Sequence, residues 1–403
     1  MRRRSVVAAL VSAVACVAAF GSSPPATAGL TTTLSGTGPA PSGVEEPASA
    51  IPWGSVGPGW FVALWGSHAG YECCPPPRGW ERQRSTLYLV DPLGGRYRVA
   101  TMPAPSYYSL FDWSGDGRRV LVGTPPTGAQ SRFEVEDVDL ATGKVLHHFR
   151  GPSSIAWYQY TRPDGLAVLA SPQTAGARVA PLVRLSLSGA TQLSYPTTFP
   201  GVGELASGGS GPNDVLPSLD GTELVVEAHT GLALLANDGT FIRDVGPSGE
   251  ACSPQRWWDV TDLVASCQPI ASEAEAALWL VPANGETATQ LTFPRPPDLG
   301  DLDGWKVGTA IYTQAAGPCG SEFLARRLSG GRTAAVPVPH AGDDVRVIGV
   351  HGSQLALQAM LGCGPGPSLF WFDPATGKQV PLLGGPMNGG GVLAALPYPG
   401  LEP

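Results

Sequence analysis

Asp91-Pro92-Leu93-Gly94-Gly95 stands between two apolar runs, and this arrangement of strand, short Gly-rich turn and strand decides how the whole chain reads. It returns at Ala141-Thr142-Gly143-Lys144, Ser188-Gly189-Ala190, Asn237-Asp238-Gly239, Ala283-Asn284-Gly285, Ser329-Gly330-Gly331 and Pro374-Ala375-Thr376-Gly377-Lys378. From turn to turn the spacing is about 45 to 49 residues, and a fixed period of that size built from strands alone is the signature of a β-propeller.

Another apolar strand precedes each pair. The set is Trp60–Trp65, Arg119–Val122, Leu166–Leu169, Leu224–Val226, Leu263–Ser266, Ala310–Tyr312 and Leu355–Leu357. Ahead of these lies a further short apolar segment, as in Leu110-Phe111-Asp112-Trp113 or Trp257-Trp258-Asp259-Val260. Four strands per unit make one blade, so the expected fold is all-β: a seven-bladed β-propeller of four-stranded antiparallel blades, with six or eight the neighbouring counts. The last apolar segment, Gly391–Leu396, has no following partner. It is expected to supply the innermost strand of the first blade and close the ring, hiding two strand edges that would otherwise invite aggregation.

The first residues read as an export signal spanning 1–28. Arg2, Arg3 and Arg4 supply the positive end, Val6 to Phe20 the apolar core, and Ala26-Thr27-Ala28 a small-x-small cleavage site. Arg3-Arg4-Ser5-Val6-Val7 is a loose twin-arginine pattern. Ala13-Val14-Ala15-Cys16 approaches a lipobox, with Ala in place of the usual branched residue, so lipid anchoring at Cys16 is the alternative to free secretion. No later stretch reaches the ~20 apolar residues of a membrane helix, and no transmembrane segment is expected. Residues 29–50, rich in Thr, Ser, Gly and Pro, read as a flexible N-terminal arm, and 51–403 as a single propeller domain. Loss of three arginines with the signal takes the formal charge from −8 to −11. That balance excludes a basic nucleic-acid-binding surface.

Leu110-Phe111-Asp112-Trp113-Ser114-Gly115-Asp116-Gly117-Arg118-Arg119-Val120-Leu121-Val122 resembles the Trp-Ser-x-Asp-Gly repeat of TolB-like propellers, a group akin to WD-repeat propellers. Tyr160-Thr161-Arg162-Pro163-Asp164-Gly165-Leu166 and Pro217-Ser218-Leu219-Asp220-Gly221-Thr222-Glu223-Leu224 are weaker copies. The resemblance implies that the Asp-Gly pair makes the tight turn between first and second strands. It also implies one of several roles: binding platform, periplasmic translocation component, or the propeller half of a prolyl-oligopeptidase-type enzyme. Fold alone does not choose among them. Asp259-Val260-Thr261-Asp262-Leu263-Val264 and Asp298-Leu299-Gly300-Asp301-Leu302-Asp303-Gly304 resemble integrin-type calcium repeats. The first has too few carboxylates and the second is displaced by one residue, so no metal is expected.

Six cysteines follow the signal, an even number suited to an oxidising compartment. In a four-stranded blade the first-to-second and third-to-fourth turns share one face, and the other two connections share the opposite face. All six cysteines fall on that second face. Cys252–Cys267 within one blade and Cys319–Cys363 between neighbouring blades are the expected pairs, leaving Cys73 with Cys74. The competing scheme ties Cys73 or Cys74 to Cys363 across the closure.

The same face carries the long connections, 66–85 and 195–213. The first brings Tyr71, Arg78, Trp80 and Arg82, with His68 and Arg84, and aromatic and Arg side chains together are enriched at contact surfaces. Tyr71, Arg78, Trp80 and Arg82 are therefore the candidate binding residues. The competing reading makes this loop a cap on the ring closure.

Catalytic signatures are weak. Gly-x-Ser-x-Gly, a P-loop, a dinucleotide fingerprint and His-Glu-x-x-His do not occur, and no cofactor is expected. The histidines at 68, 147, 148, 229, 340 and 351 scatter over the blades, and surface or edge positions explain them. Asp112, Asp214, Asp259, Asp301 and Asp303 lie in or beside innermost strands and could serve as acid and base, or could cap turns. Trp113, Trp157, Trp257, Trp258 and Trp305 recur in the same strands, as packing between blades or as a platform for a sugar or peptide. The expectation is an exported, monomeric, non-catalytic module that binds a protein or an envelope glycan or peptide on its long-loop face. The alternative is a propeller hydrolase or lyase using the carboxylates near the axis.

Overall fold

In Phe61–Gly66 the side chains alternate between two partners, because successive residues of a strand face opposite sides. Phe61, Ala63 and Trp65 join Leu369, Trp371 and Leu382, while Val62 and Leu64 join Leu110, Trp113 and Val120. Both faces of the strand are buried, which is why its sequence is apolar throughout rather than at every second position. The same arrangement, repeated, generates the molecule.

The computed structural model describes residues 43–66, 84–103, 108–124, 133–151, 156–172, 181–206, 215–271, 274–294, 300–317, 321–339, 341, 344–361, 364–383 and 391–400. They form seven four-stranded antiparallel blades in a ring. Blade 1 is built from Gly391–Pro397, Phe61–Gly66, Ser85–Val90 and Arg96–Met102. Blade 2 contains Ser109–Trp113, Arg119–Thr124, Glu134–Asp139 and Val145–Arg150. Blade 3 follows with Ala156–Tyr160, Ala167–Pro172, Val183–Ser186 and Thr191–Ser194, and blade 4 with Val215–Pro217, Glu223–Ala228, Gly231–Ala236 and Phe241–Val245. Blade 5 has Glu250–Trp257, Asp262–Pro269, Ala277–Pro282 and Thr289–Gln290. Blade 6 has Asp301–Val307, Ala310–Ala316, Glu322–Arg327 and Thr333–Ala335. Blade 7 has Val345–His351, Gln354–Leu361, Gly364–Phe372 and Gln379–Leu383.

The C-terminal strand closes the ring as expected. Gly391–Pro397 pairs antiparallel with Phe61–Gly66, so the first blade takes its innermost strand from the far end of the chain. At the N-terminal side, Glu45–Pro47 adds a fifth strand, parallel to Arg96–Met102. Glu45 is fixed there by Arg96, Arg98 and the Tyr88 hydroxyl. Within the stretch read from sequence as an arm, these three residues are therefore strand.

Each of the seven third-to-fourth turns contains a glycine with φ between 66° and 89°, the left-handed region that other residues enter at a cost. The first-to-second turns of blades 2 and 4 use the Ser-x-Asp-Gly motif. Ser114 Oγ donates to Asp116 and accepts from the Arg119 amide, and Ser218 does the same with Asp220 and Glu223. These turns touch their neighbours closely. A Cβ on Gly221 would lie 1.7 Å from the Arg162 carbonyl oxygen, and one on Gly115 2.2 Å from that of Pro163.

Buried apolar residues among those described fall into seven clusters, one between each pair of neighbouring blades. Between blades 5 and 6 that cluster reduces to Val264, Leu278 and Leu291. Polar contacts supplement it: Arg256 pairs with Asp303, and Ser266 donates to the Asp301 carbonyl at 2.8 Å.

Candidate functional site

The two faces of the ring differ in their connections. One carries the short turns, and all three lysines of the chain lie at that side: Lys144 and Lys378 in third-to-fourth turns, Lys306 at the end of an innermost strand. The opposite face carries the connection from Gly66 to Ser85 and the one from Ser194 to Val215. Part of the latter is a small hairpin, Thr198–Phe199 with Gly203–Glu204, seated on the His229–Thr230 turn of blade 4 by two backbone hydrogen bonds. Phe199 stacks on Phe241 at 6.2 Å and Val202 is buried, so half of this long connection belongs to the blade 3–blade 4 core.

The candidate contact residues Tyr71, Arg78, Trp80 and Arg82 lie outside the described residues, as do Cys73, Cys74, Cys319 and Cys363. Cys252 and Cys267 are described, and they are bonded. Cys252 sits inside the innermost strand of blade 5, directly opposite Cys267 in the register, with Cα atoms 4.1 Å apart. Sequence reading started this strand several residues later, at Trp257-Trp258; in the structure Glu250–Trp257 is the strand and Trp258 begins the turn.

The candidate carboxylates are committed to structural partners. Asp112 accepts the Tyr160 amide at 2.8 Å and Arg162 at 2.9 Å, which pins blade 3 to blade 2. Asp259 accepts the amides of Thr261 and Asp262, and these bonds hold its carboxyl below the usual carboxylate range. Asp301, buried, accepts from the Thr313 hydroxyl at 2.8 Å. Asp303 takes both Nε and Nη2 of Arg256, whose guanidinium lies 4.2 Å from the centre of the Trp305 ring. Asp214 lies outside the described residues.

The tryptophans follow the packing reading. Trp113 and Trp305 are buried, Trp157 meets Phe111 edge to face, and the Trp257 indole donates to the Pro217 carbonyl of the neighbouring blade. His147 and His148 lie on the exposed outer strand of blade 2, paired with Asp137 and Glu134. His351 rests against Trp371, and His229 is exposed on its turn. Among the described residues no group of three or more His, Cys, Asp or Glu is placed to hold a metal ion.

Two sites escaped sequence reading. The first is Asp137, fully buried in the third strand of blade 2. It accepts the Tyr160 hydroxyl at 2.5 Å and the His147 Nδ1 at 2.8 Å, with Arg119 at 3.4 Å. Burial, then the charge of Asp137, pushes the Tyr160 hydroxyl well above its usual value. The second is Glu227, at the long-connection end of blade 4, which accepts from Ser253 of blade 5 at 2.8 Å. Burial raises its carboxyl, and the Ser253 hydrogen bond offsets this only in part. When the second strands are aligned, Glu227 shares its column with Ser266, Gln314 and Gln358, and that run of polar residues was the available signal.

No profile of a known family matches the chain, and no curated protein matches it. Solved structures do. A prolyl endopeptidase structure shares 13% identity over 79% of this chain and 49% of that one, with a TM-score of 0.48, so the chain spans about half its length. A β-propeller domain from Myceliophteria thermophila shares 12% identity over 73% of this chain and 93% of that one, with a TM-score of 0.47. A putative 6-phosphogluconolactonase from Bacteroides uniformis shares 13% identity over 84% of this chain and 98% of that one, with a TM-score of 0.48. At identities this low the likeness concerns the fold.

Proposed function

We propose that this chain is an exported, non-catalytic, TolB-like binding module, and that it meets a protein or a cell-envelope glycan or peptide on its long-connection face. The observation that supports this most is the state of the carboxylates near the axis. Asp112, Asp259, Asp301 and Asp303 each spend their oxygens on an amide, a hydroxyl or a guanidinium of a neighbouring turn or blade. Acid–base chemistry on a glycosidic or ester bond asks for a pair of acids with free oxygens. Long connections on a rigid ring suit recognition instead. The bonded Cys252–Cys267 pair fits an oxidising compartment outside the cytoplasm. Tyr71, Arg78, Trp80 and Arg82 are the proposed contact residues.

The test is cross-linking mass spectrometry of the mature protein in envelope and culture fractions, using a carboxyl-directed linker. The choice of linker matters, because an amine-directed one would report the short-turn face through Lys144, Lys306 and Lys378. A reproducible partner joined through Glu204, Glu250 or the 66–85 connection is the expected result. Links confined to the short-turn face would refute the assigned surface. Turnover of a glycan or ester by the purified chain would refute the non-catalytic reading.

A further inference from the structure

At matching positions of four successive second strands stand Glu227, Ser266, Gln314 and Gln358. Each reaches across to the innermost strand of the next blade. Gln358 Nε2 donates to the Val392 carbonyl at 2.8 Å, and Gln314 Nε2 to that of Val345 at 2.8 Å. Gln314 also accepts the Val347 amide at 2.6 Å, so its side chain engages the neighbouring strand on both sides. Ser266 donates to the Asp301 carbonyl, and Glu227 accepts from the Ser253 hydroxyl. Three of these four contacts are made by neutral groups. The fourth, between blades 4 and 5, is made by an acid.

Among the described residues no cation is paired with Glu227. Titratable groups on the elements packed around it are Glu223 on its own strand, His229 in the turn that follows, Glu204 on the hairpin, and Glu250 and Arg256 on the facing strand of blade 5. The first strand of blade 4 over Val215–Pro217 and the third over Gly231–Ala236 contribute none. Burial and the Ser253 hydroxyl are what set its proton affinity, and burial dominates. An acid in such a place is costly when ionised and cheap when protonated.

We propose that Glu227 is a protonation-controlled latch: a proton taken up from solvent lets its carboxyl hold the seam between blades 4 and 5 as Gln314 and Gln358 hold theirs, and loss of that proton loosens the seam at the long-connection face. The direction follows from linkage. An acid whose proton affinity rises on folding stabilises the fold below its ordinary carboxylate range, and the contribution disappears as pH rises through the folded value. The disulfide joins the two strands at this point, since Cys252 and Cys267 adjoin Ser253 and Ser266, the serines that contact blades 4 and 6.

Hydrogen exchange of the mature chain reads the seam directly, with protection corrected for intrinsic rates at about pH 5 and about pH 7.5. In the wild-type chain, peptides covering 215–228 and 250–257 should be several-fold better protected at the lower pH, while those covering 354–361, which carry no titratable side chain, should not respond. Glu227→Gln should hold the higher protection at both values. Ser253→Ala, which removes the bond favouring the ionised form, should shift the change to higher pH. Equal wild-type protection at the two values overturns the proposal. So does a pH response that survives in Glu227→Gln, or a Ser253→Ala response at the wild-type pH.

Discussion

A buried acid must be held by enough donors to replace water, and Asp137 shows how the chain arranges this from distant positions. Its donors come from the second and fourth strands of its own blade and from the innermost strand of the next, through Arg119, His147 and Tyr160. The sequence carries no local sign of it. Glu134-Val135-Glu136-Asp137-Val138-Asp139 reads as an acidic strand in which any carboxylate could face solvent, and only the assembled blades select Asp137 for burial. Tyr160→Phe should lower stability by about 1–3 kcal/mol at neutral pH, the cost of depriving a buried acceptor of a donor. The pH dependence supplies a second readout. Tyr160 stays protonated in the folded chain well beyond the ordinary tyrosine range, whereas the unfolded chain ionises there. Its contribution to stability is thus complete below the ordinary value and is lost as pH rises above it. The gap between wild type and Tyr160→Phe in urea unfolding should narrow in alkali; a gap that stays constant would count against this network.

At the scale of the element, what could be read in advance was what repeats. The seven turn glycines announced their hairpins because a left-handed φ leaves little choice of residue. Cys252 and Cys267 could be paired because they belong to adjacent strands of one blade, even though the start of the first strand was misplaced. That error has a physical source: Trp257 and Trp258 look like strand core, yet the chain turns at Trp258, where Asp259 captures the amides of Thr261 and Asp262. Glu227, Ser266, Gln314 and Gln358 were invisible in isolation, since a single polar residue inside an apolar run reads as noise until the blades are aligned. Removing the disulfide tests how far blade 5 depends on it. It closes a loop between residues 15 apart, for which chain entropy gives about 3 kcal/mol. The Cys252→Ala, Cys267→Ala double variant should unfold at correspondingly lower urea. An unchanged midpoint would mean that the neighbouring strands alone set the register.

At the scale of the whole molecule, stability is a property of the closed ring. Each blade buries both faces against its neighbours, so an opening between blades exposes two apolar sheet faces, and one at the closing strand pair of blade 1 also exposes two strand edges. The chain closes the ring at blade 1, where Gly391–Pro397 completes the sheet begun by Phe61–Gly66. That strand also bonds to both neighbours. Gln358 of blade 7 donates to the Val392 carbonyl, the Tyr398 amide donates to the Trp60 carbonyl, and the Tyr398 ring meets Trp113 of blade 2 edge to face. A chain ending at Gly390 keeps blades 2 to 7 complete and loses one strand of blade 1, which by itself would forecast a modest loss. Ring closure forecasts a larger one, because the Phe61–Gly66 edge and the blade 7 face are uncovered together. Such a chain should lose its cooperative urea transition and elute as aggregate in size-exclusion chromatography. A peptide spanning 391–400, added in trans during refolding, should restore a monomeric peak, since closure rests on strand pairing rather than on chain continuity. A truncated chain that remains monomeric with a wild-type transition would show that the blades are stable without the closed ring.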